Sequence, residues 1–440
     1  MKLQIEKAVY GGAGLAHQTE GAVAGQAVFV PFTLPGELVE ARLLEQNKAF
    51  GEASLLQVLT ASEDRIQPKC THFGQCGGCQ YQHVAYSAQV QMKNTILQET
   101  LERAGLTALP VIQTHAGKPW AYRNRTRLRV AAWDATLRVG YNRRGSNEFL
   151  PIRECSILAP LLWRASDAFL RTAAEDSIAA RLVHDALEVE FFTTADEKKL
   201  QMTVFVGKSR VGLKTLCEQM REIVPEMASA TSSLLSFAGS QRRTQSPRQL
   251  ESWGAEGLSY RGAGEDYWVG PGAFFQVNRF LVEDLIRIVT VGRQGSIAWD
   301  LYAGVGLFSR ALARTFQHVV AVEAAANDLA KSFKGPGRRA VEATTVEFLR
   351  SAVLQRERPE LIVMDPPRAG VGAEVCALLE RISAPQIVYV SCDPVTLARD
   401  LKLLIRSGYN LAELHMVDMF PQTFHLETVA VLRHYAAVLW

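Results

Sequence analysis

Apolar and polar positions alternate with the two-residue period of a strand through Ala27-Val28-Phe29-Val30, from Leu38 to Leu43 and from Ala53 to Leu59. Gly11-Gly12, Pro35-Gly36 and Gly51 punctuate these runs, so residues 1–62 are predicted to form a small antiparallel barrel. From about Ala88 to Ala104 the period becomes that of a helix, with Val90, Ile96, Leu97 and Leu101 on one apolar face and Gly105 as its stop. Residues 120–260 mix basic strands with irregular stretches. The Ser-, Thr-, Gln- and Gly-rich segment from Ala230 to Ser246 reads there as a long surface loop. Beyond Gly270, short apolar runs at Ile297 to Leu301, His318 to Val322, Leu361 to Met364 and Gln386 to Val390 are spaced by helical patterns after the first, third and fourth. This alternation predicts a doubly wound parallel sheet of the α/β class.

A chain of 440 residues is long enough for two or three domains, each with its own core. Its net charge of +3 is too small to demand a polyanionic partner, but the charge is uneven. Lys118, Arg123, Arg125, Arg127, Arg129, Arg138, Arg143, Arg144 and Arg153 face only Asp134 and Glu148 within the same stretch, whereas the first sixty residues are mildly acidic. If nucleic acid binds, its electrostatic footprint is expected in the middle of the chain. No apolar run is long enough to cross a bilayer and the first residues lack the signal-peptide pattern, so a cytoplasmic protein without membrane contact is expected. In a reducing compartment the seven cysteines are not expected in structural disulfides, and clustered ones point to metal or catalysis.

The first of the late apolar runs leads into Asp300-Leu301-Tyr302-Ala303-Gly304-Val305-Gly306-Leu307-Phe308-Ser309. Gly304 and Gly306 would let backbone approach a ligand, but Ser309 stands where a dinucleotide fingerprint has its third glycine, which disfavours NAD. Glu323 ends the next run, where a carboxylate can accept from both ribose hydroxyls, and Asp365-Pro366-Pro367-Arg368 puts a second acid on the same rim. Singly these are more often turn geometry and helix caps; together they point to an adenosine-containing ligand. Cys70, Cys76, Cys79 and Cys155 supply four soft ligands, which zinc and an iron–sulfur cluster would accept about equally, while Gly77-Gly78 would turn amides toward cluster sulfurs. Cys392, in Ser391-Cys392-Asp393-Pro394, sits at the carboxyl end of the last run, where such sheets bind ligands. A thiolate there can add to C6 of a pyrimidine and make C5 nucleophilic, although a random cysteine is more often a small buried apolar residue. Glu427 in isolation reads as an exposed residue before a strand; beside Cys392 it would be a base.

These motifs, with Phe275-Gln276-Val277-Asn278 and His425-Leu426-Glu427, occur in an order that resembles the RNA uracil-5-methyltransferase family over nearly the whole chain. The resemblance implies a Rossmann-like catalytic domain at 266–440, a central α+β iron–sulfur and RNA-binding region at 63–265, and an OB-like TRAM barrel at 1–62 marked by Gly11, Gly12 and Gly14. It also implies that the helix near 88–104 packs with the catalytic domain. By the same resemblance Cys70, Cys76, Cys79 and Cys155 hold a [4Fe-4S] cluster; Gln276, Tyr302, Glu323 and Asp365 contact S-adenosyl-L-methionine; Cys392 is the nucleophile and Glu427 the base. TRAM domain and cluster together point to the members that methylate 23S rRNA, with a monomer expected. In two places this chain departs from the family's pattern: Glu342 to Phe348 lacks the usual Asp or Asn before the adenine pocket, and Ala303 and Leu307 replace Cys and Asn. Three rival readings are a tRNA T-loop methyltransferase, a catalytically silent iron–sulfur ribosome-assembly factor and an NAD-linked redox enzyme.

Overall fold

The alternating runs at the start of the chain form a six-stranded sheet in the computed structural model, which describes every residue except 19–24, 48, 175–176, 236, 239–240, 243–246 and 436–440. Its strands run in the order Lys2–Gln4, Leu38–Gln46, Phe50–Thr60, Ala27–Pro31, Ala13–His17, Lys7–Ala8. The inward residues, among them Leu3, Ala16, Val28, Val30 and Val39, make one small core. The pairing is not antiparallel throughout, as the pattern predicted, because Ala27–Pro31 runs parallel to Phe50–Thr60. The alternation of inward residues is identical for either direction, so it could not specify this.

A second, seven-stranded sheet runs from Phe149–Pro151 through Thr136–Asn142, Arg125–Trp133, Ala186–Thr193, Leu200–Val206 and Met227–Leu234 to Arg248–Gly254. Helices Pro160–Thr172, Ile178–His184 and Leu213–Ile223 cover its apolar face. The loop expected over Ala230 to Ser246 begins as a buried strand, and residues 236, 239–240 and 243–246 of that segment lie outside the described residues. Ser229, Thr231, Ser232 and Ser233 are buried in it. Thr231 Oγ1 donates to Thr203 Oγ1 on the neighbouring strand at 3.3 Å, so hydroxyls that normally mark a loop are here partly satisfied inside the sheet.

The last sheet carries Glu323, Asp365, Cys392 and Glu427 at or just beyond its strand ends. Arg338–Glu342, Phe316–Glu323, Gly295–Leu301, Leu361–Met364 and Gln386–Ser391 are parallel and in that order, with the reversal of strand order between Gly295–Leu301 and Leu361–Met364. The expected all-parallel sheet ends there. Glu427–His434 inserts antiparallel between Gln386–Ser391 and Tyr409–Val417, and Ile112–His115 completes the far edge. A strand buried on both faces reads as the same apolar run in either direction, which is why the pattern missed the insertion.

Helix Tyr86–Arg103 belongs spatially with this sheet, its Ile96, Leu97 and Leu101 packing with Leu397, Leu401 and Leu404 of helix Pro394–Arg406. Its Lys93, fully buried, makes a 2.6 Å ion pair with the fully buried Asp418 and donates to Phe420 O at 3.0 Å. Burial draws the Lys93 ammonium below its usual range, opposed by the charge of Asp418. Lys93→Ala strips Asp418 of its countercharge, and is expected to cost about 3–5 kcal/mol of stability, read as a lowered denaturant midpoint with the wild-type slope. A loss below about 1 kcal/mol would mean that the pair contributes little to the fold.

Candidate active site

The inserted strand places the two reactive candidates side by side. In the antiparallel register Ser391 faces Thr428, so Cys392, one residue past the end of its strand, and Glu427, the first of the other, meet at the same level of the rim. Asp393 then caps helix Pro394–Arg406, its Oδ1 accepting from the amides of Val395 and Thr396 at 3.0 Å each. Thr396 Oγ1 donates to Arg368 O at 3.0 Å, tying this turn to the Asp365-Pro366-Pro367-Arg368 loop.

Cys392 and Glu427 open into a cavity of about 660 Å³. Gln276, Tyr302, Gly304, Glu323 and Asp365 line the same space, together with Arg368, Phe420 and His425. Glu323 Oε2 accepts from Gly304 N at 2.9 Å and its Oε1 from Ala325 N at 3.3 Å, while Gln276 Nε2 reaches Asp365 Oδ2 at 3.4 Å. A Cβ on Gly304, at φ +56°, would meet nothing within 4 Å, so its backbone faces open space. Glu427 Oε1 is buried without a partner, the state expected of an acceptor that awaits a ligand.

Gly306, grouped with Gly304 as a ligand contact, is not on this wall. It starts helix Leu307–Leu312 at φ +85°, and a Cβ there would lie 3.0 Å from Leu329 Cδ1, so glycine serves the turn and the packing beneath it. The Glu342 to Phe348 segment does not reach the cavity either. Thr344 caps helix Thr345–Gln355 in a capping box with Glu347.

The charges in the cavity are strained by burial. Desolvation lifts Asp365 to about 7, and it lifts Glu427 well above the usual carboxylate range, where the charge of Asp365 adds to the effect and Arg368 opposes it. A cation entering the cavity would return both acids toward their ionised forms. Burial raises the Cys392 thiol to about 11; the Glu427 charge adds to this and Arg368 again opposes it.

The second cavity, of about 470 Å³, is lined by all four of Cys70, Cys76, Cys79 and Cys155. Burial raises Cys79 to about 12 and Cys155 to about 11. Gly78 N donates to Cys76 Sγ at 3.4 Å, whereas Gly77 N is taken by Asn142 O, so one of the two glycine amides faces sulfur. Among the described residues no three His, Cys, Asp or Glu side chains are gathered tightly enough for a single metal ion. Four thiols lining one cavity are a donor set that a zinc ion and an iron–sulfur cluster would both accept. Arg123 lines both cavities and forms part of the wall between them.

The basic stretch is only partly available to a partner. Arg125 pairs with Glu190 at 3.7 Å and lies over the Phe192 ring, and Arg127 pairs with Glu188 over the Phe205 ring. Their carboxylates come from the adjacent strand Ala186–Thr193, so these two arginines serve the sheet. Lys118, Arg138, Arg144 and Arg153 are exposed.

The sequence profile of the tRNA (uracil-5-)-methyltransferase family matches residues 339–435. An RNA methyltransferase of Aquifex aeolicus is 32% identical over 98% of this chain and 98% of its own length. The 23S rRNA (uracil(1939)-C(5))-methyltransferase RlmD of Aeromonas hydrophila is 32% identical, with 93% of this chain and 92% of that one covered. Among solved structures, the Pyrococcus abyssi tRNA (uracil-54, C5)-methyltransferase in complex with S-adenosyl-L-homocysteine superposes with a TM-score of 0.73 at 23% identity, covering 98% of this chain and 100% of that one. This last likeness shows a shared mixed α/β fold.

A thiol raised to about 11 is almost wholly protonated at neutral pH. Alkylation of Cys392 by iodoacetamide, followed by peptide mass spectrometry, should therefore accelerate about tenfold per pH unit between pH 7 and 10. Arg368→Ala removes the charge that favours thiolate and should slow it at every pH in that range. A rate independent of pH would show that the thiol is already ionised.

Proposed function

The chain belongs to the RNA uracil-5-methyltransferase family, and we propose that it methylates C5 of a uridine in 23S rRNA through a covalent bond between Cys392 and C6 of the base. The observation that carries this reading is the register of Gln386–Ser391 against Glu427–His434, which sets a thiol and an unpartnered carboxylate together on one cavity wall. S-adenosyl-L-methionine held by Gln276, Tyr302, Glu323 and Asp365 supplies the methyl group. Glu323 suits the ribose hydroxyls, and Asp365 suits the positive charge of the donor.

The target base must leave its stack, since C6 cannot meet a thiol inside a helix, and an unpaired loop costs least to open. Cys392 Sγ, as thiolate, bonds to C6 and the electron pair moves to C5, which takes the methyl group from the sulfonium as the S–CH3 bond breaks and its electron pair stays on sulfur, leaving S-adenosylhomocysteine. Glu427 then removes the C5 proton, C5=C6 re-forms and the Sγ–C6 bond breaks. A base that must take a proton from carbon benefits from the raised proton affinity that burial gives Glu427. The choice of 23S rRNA over tRNA follows the Aeromonas hydrophila relative and the four cysteines. Those cysteines, on this reading, hold a [4Fe-4S] cluster with a structural role, and residues 1–62 form a TRAM domain that helps to bind RNA.

Cys392→Ala should abolish methylation with S-adenosylmethionine binding retained. Glu427→Gln should accumulate a methylated protein–RNA adduct that survives denaturing electrophoresis and is absent from the double mutant. Full turnover by Cys392→Ala, or an adduct on another cysteine, would overturn the mechanism, and 5-methyluridine restored in tRNA but not in 23S rRNA of a deletion strain would overturn the substrate.

Anaerobically purified protein is expected to be brown, with about four irons per chain and broad thiolate-to-iron absorption. Colourless protein carrying one zinc would exclude the cluster.

A further inference from the structure

The N-terminal sheet reaches the catalytic rim through Tyr10. This residue follows strand Lys7–Ala8 and precedes Gly11 and Gly12, whose φ angles of +106° and +88° reverse the chain there. Tyr10 Oη donates to Asp393 Oδ2 at 3.2 Å and lies 3.5 Å from Cys392 O. The other oxygen of Asp393 is engaged by the helix amides of Val395 and Thr396, so one carboxylate next to Cys392 is shared between the helix cap and the tyrosine. Burial and the Asp393 charge keep the phenol protonated and therefore a donor.

The opposite contact of Tyr10 is with the loop that carries Glu427. Its ring stands edge-on to Phe424 at 5.4 Å, and Phe424 lies 4.2 Å from the His425 ring, two residues before Glu427. The fit beside it is close. A Cβ on Gly12 would lie 3.0 Å from Gln80 Cβ and 3.4 Å from Phe424 Cδ1. A single side chain from the first sheet thus touches both of the turns that present the thiol and the carboxylate.

We propose that Tyr10 is a positioning residue for methyl transfer, its hydroxyl setting the 391–393 turn through Asp393 and its ring setting the 423–427 loop. The inference rests on the roles given above to Cys392 and Glu427 and adds a part for the N-terminal sheet in the chemistry itself, beyond any role in holding RNA. A merely packed tyrosine would act through stability. A tyrosine that touches RNA would act through KM.

Tyr10→Phe keeps the ring and removes only the hydroxyl. It should lower kcat, and the rate at which RNA carrying 5-fluorouridine is trapped on the protein, by about tenfold, the scale of one charge-assisted hydrogen bond. KM for RNA and for S-adenosylmethionine and the thermal midpoint should stay at wild-type values. Asp393→Asn should slow trapping too, and the double mutant Tyr10→Phe, Asp393→Asn should be no slower than Asp393→Asn alone, because the tyrosine acts through that carboxylate. Wild-type trapping by Tyr10→Phe, a change confined to KM, or losses that simply add in the double mutant would each overturn the proposal. If wild-type protein itself forms no adduct, or forms it on another cysteine, the roles of Cys392 and Glu427 fail and the proposal fails with them; normal wild-type trapping on Cys392 with normal trapping by Tyr10→Phe removes the tyrosine alone.

Discussion

The arrangement of the rim around Cys392 and Glu427 depends on the buried ion pair between Lys93 and Asp418. The segment from Asp418 to Leu426 joins two antiparallel strands without regular structure of its own, so its backbone groups must find partners elsewhere. Lys93 holds its first residue and Phe420 O; Asn278 Nδ2 donates to Met419 O at 3.2 Å, and Tyr122 Oη donates to Pro421 O at 3.0 Å. Gln80 N and Tyr81 N both donate to Gln422 O at 3.0 Å, and the Gln89 amide exchanges hydrogen bonds with Gln422. Segments scattered over the first two thirds of the chain thus converge on one loop. A buried charge is costly unless paired, so Asp418 has one low-energy position, and that position aims the chain toward Glu427.

A similar economy orders the cofactor side. Asp300 is fully buried, raised to about 7 by desolvation, and accepts from both the amide and the hydroxyl of Ser309. It thereby fastens the start of helix Leu307–Leu312 to the end of its strand and holds the turn that carries Tyr302 and Gly304. On the thiol side Asp400 does comparable work, accepting from Val371 N at 2.9 Å and from Tyr389 Oη at 2.8 Å, so that the loop after Arg368 is fixed to the helix after Cys392. Carboxylates that never face the cavity therefore set the positions of those that do.

Much of this was legible in the chain because strand ends are local. Apolar runs followed by Gly304, Glu323, Asp365 and Cys392 mark the rim from the period of the sequence alone, and the structure gathers these residues around one cavity. The pairing of Cys392 with Glu427 was not legible in this way, since it depends on which strand the last one lies beside. Arg125 and Arg127 misled for a related reason. Their partners Glu190 and Glu188 stand some sixty residues away, and a run of arginines looks alike whether it meets phosphates or carboxylates. Gly306 and the hydroxyl-rich strand Met227–Leu234 show the converse, where a residue type with one common use is given another by packing.

The long reach of helix Tyr86–Arg103 has a consequence for biosynthesis. Lys93 precedes Asp418 by 325 positions, and the leucines that cover Ile96, Leu97 and Leu101 are nearly as distant. At a translation speed of about 5–20 residues per second, the helix waits roughly 15 to 60 seconds on the ribosome for its partners. Through that interval an apolar stripe and a lysine destined for burial remain uncovered, and strand Ile112–His115 has no neighbour to join. The last sheet can close only when the final strand emerges, so a nascent chain of this protein makes a long demand on whatever shields apolar surface during synthesis.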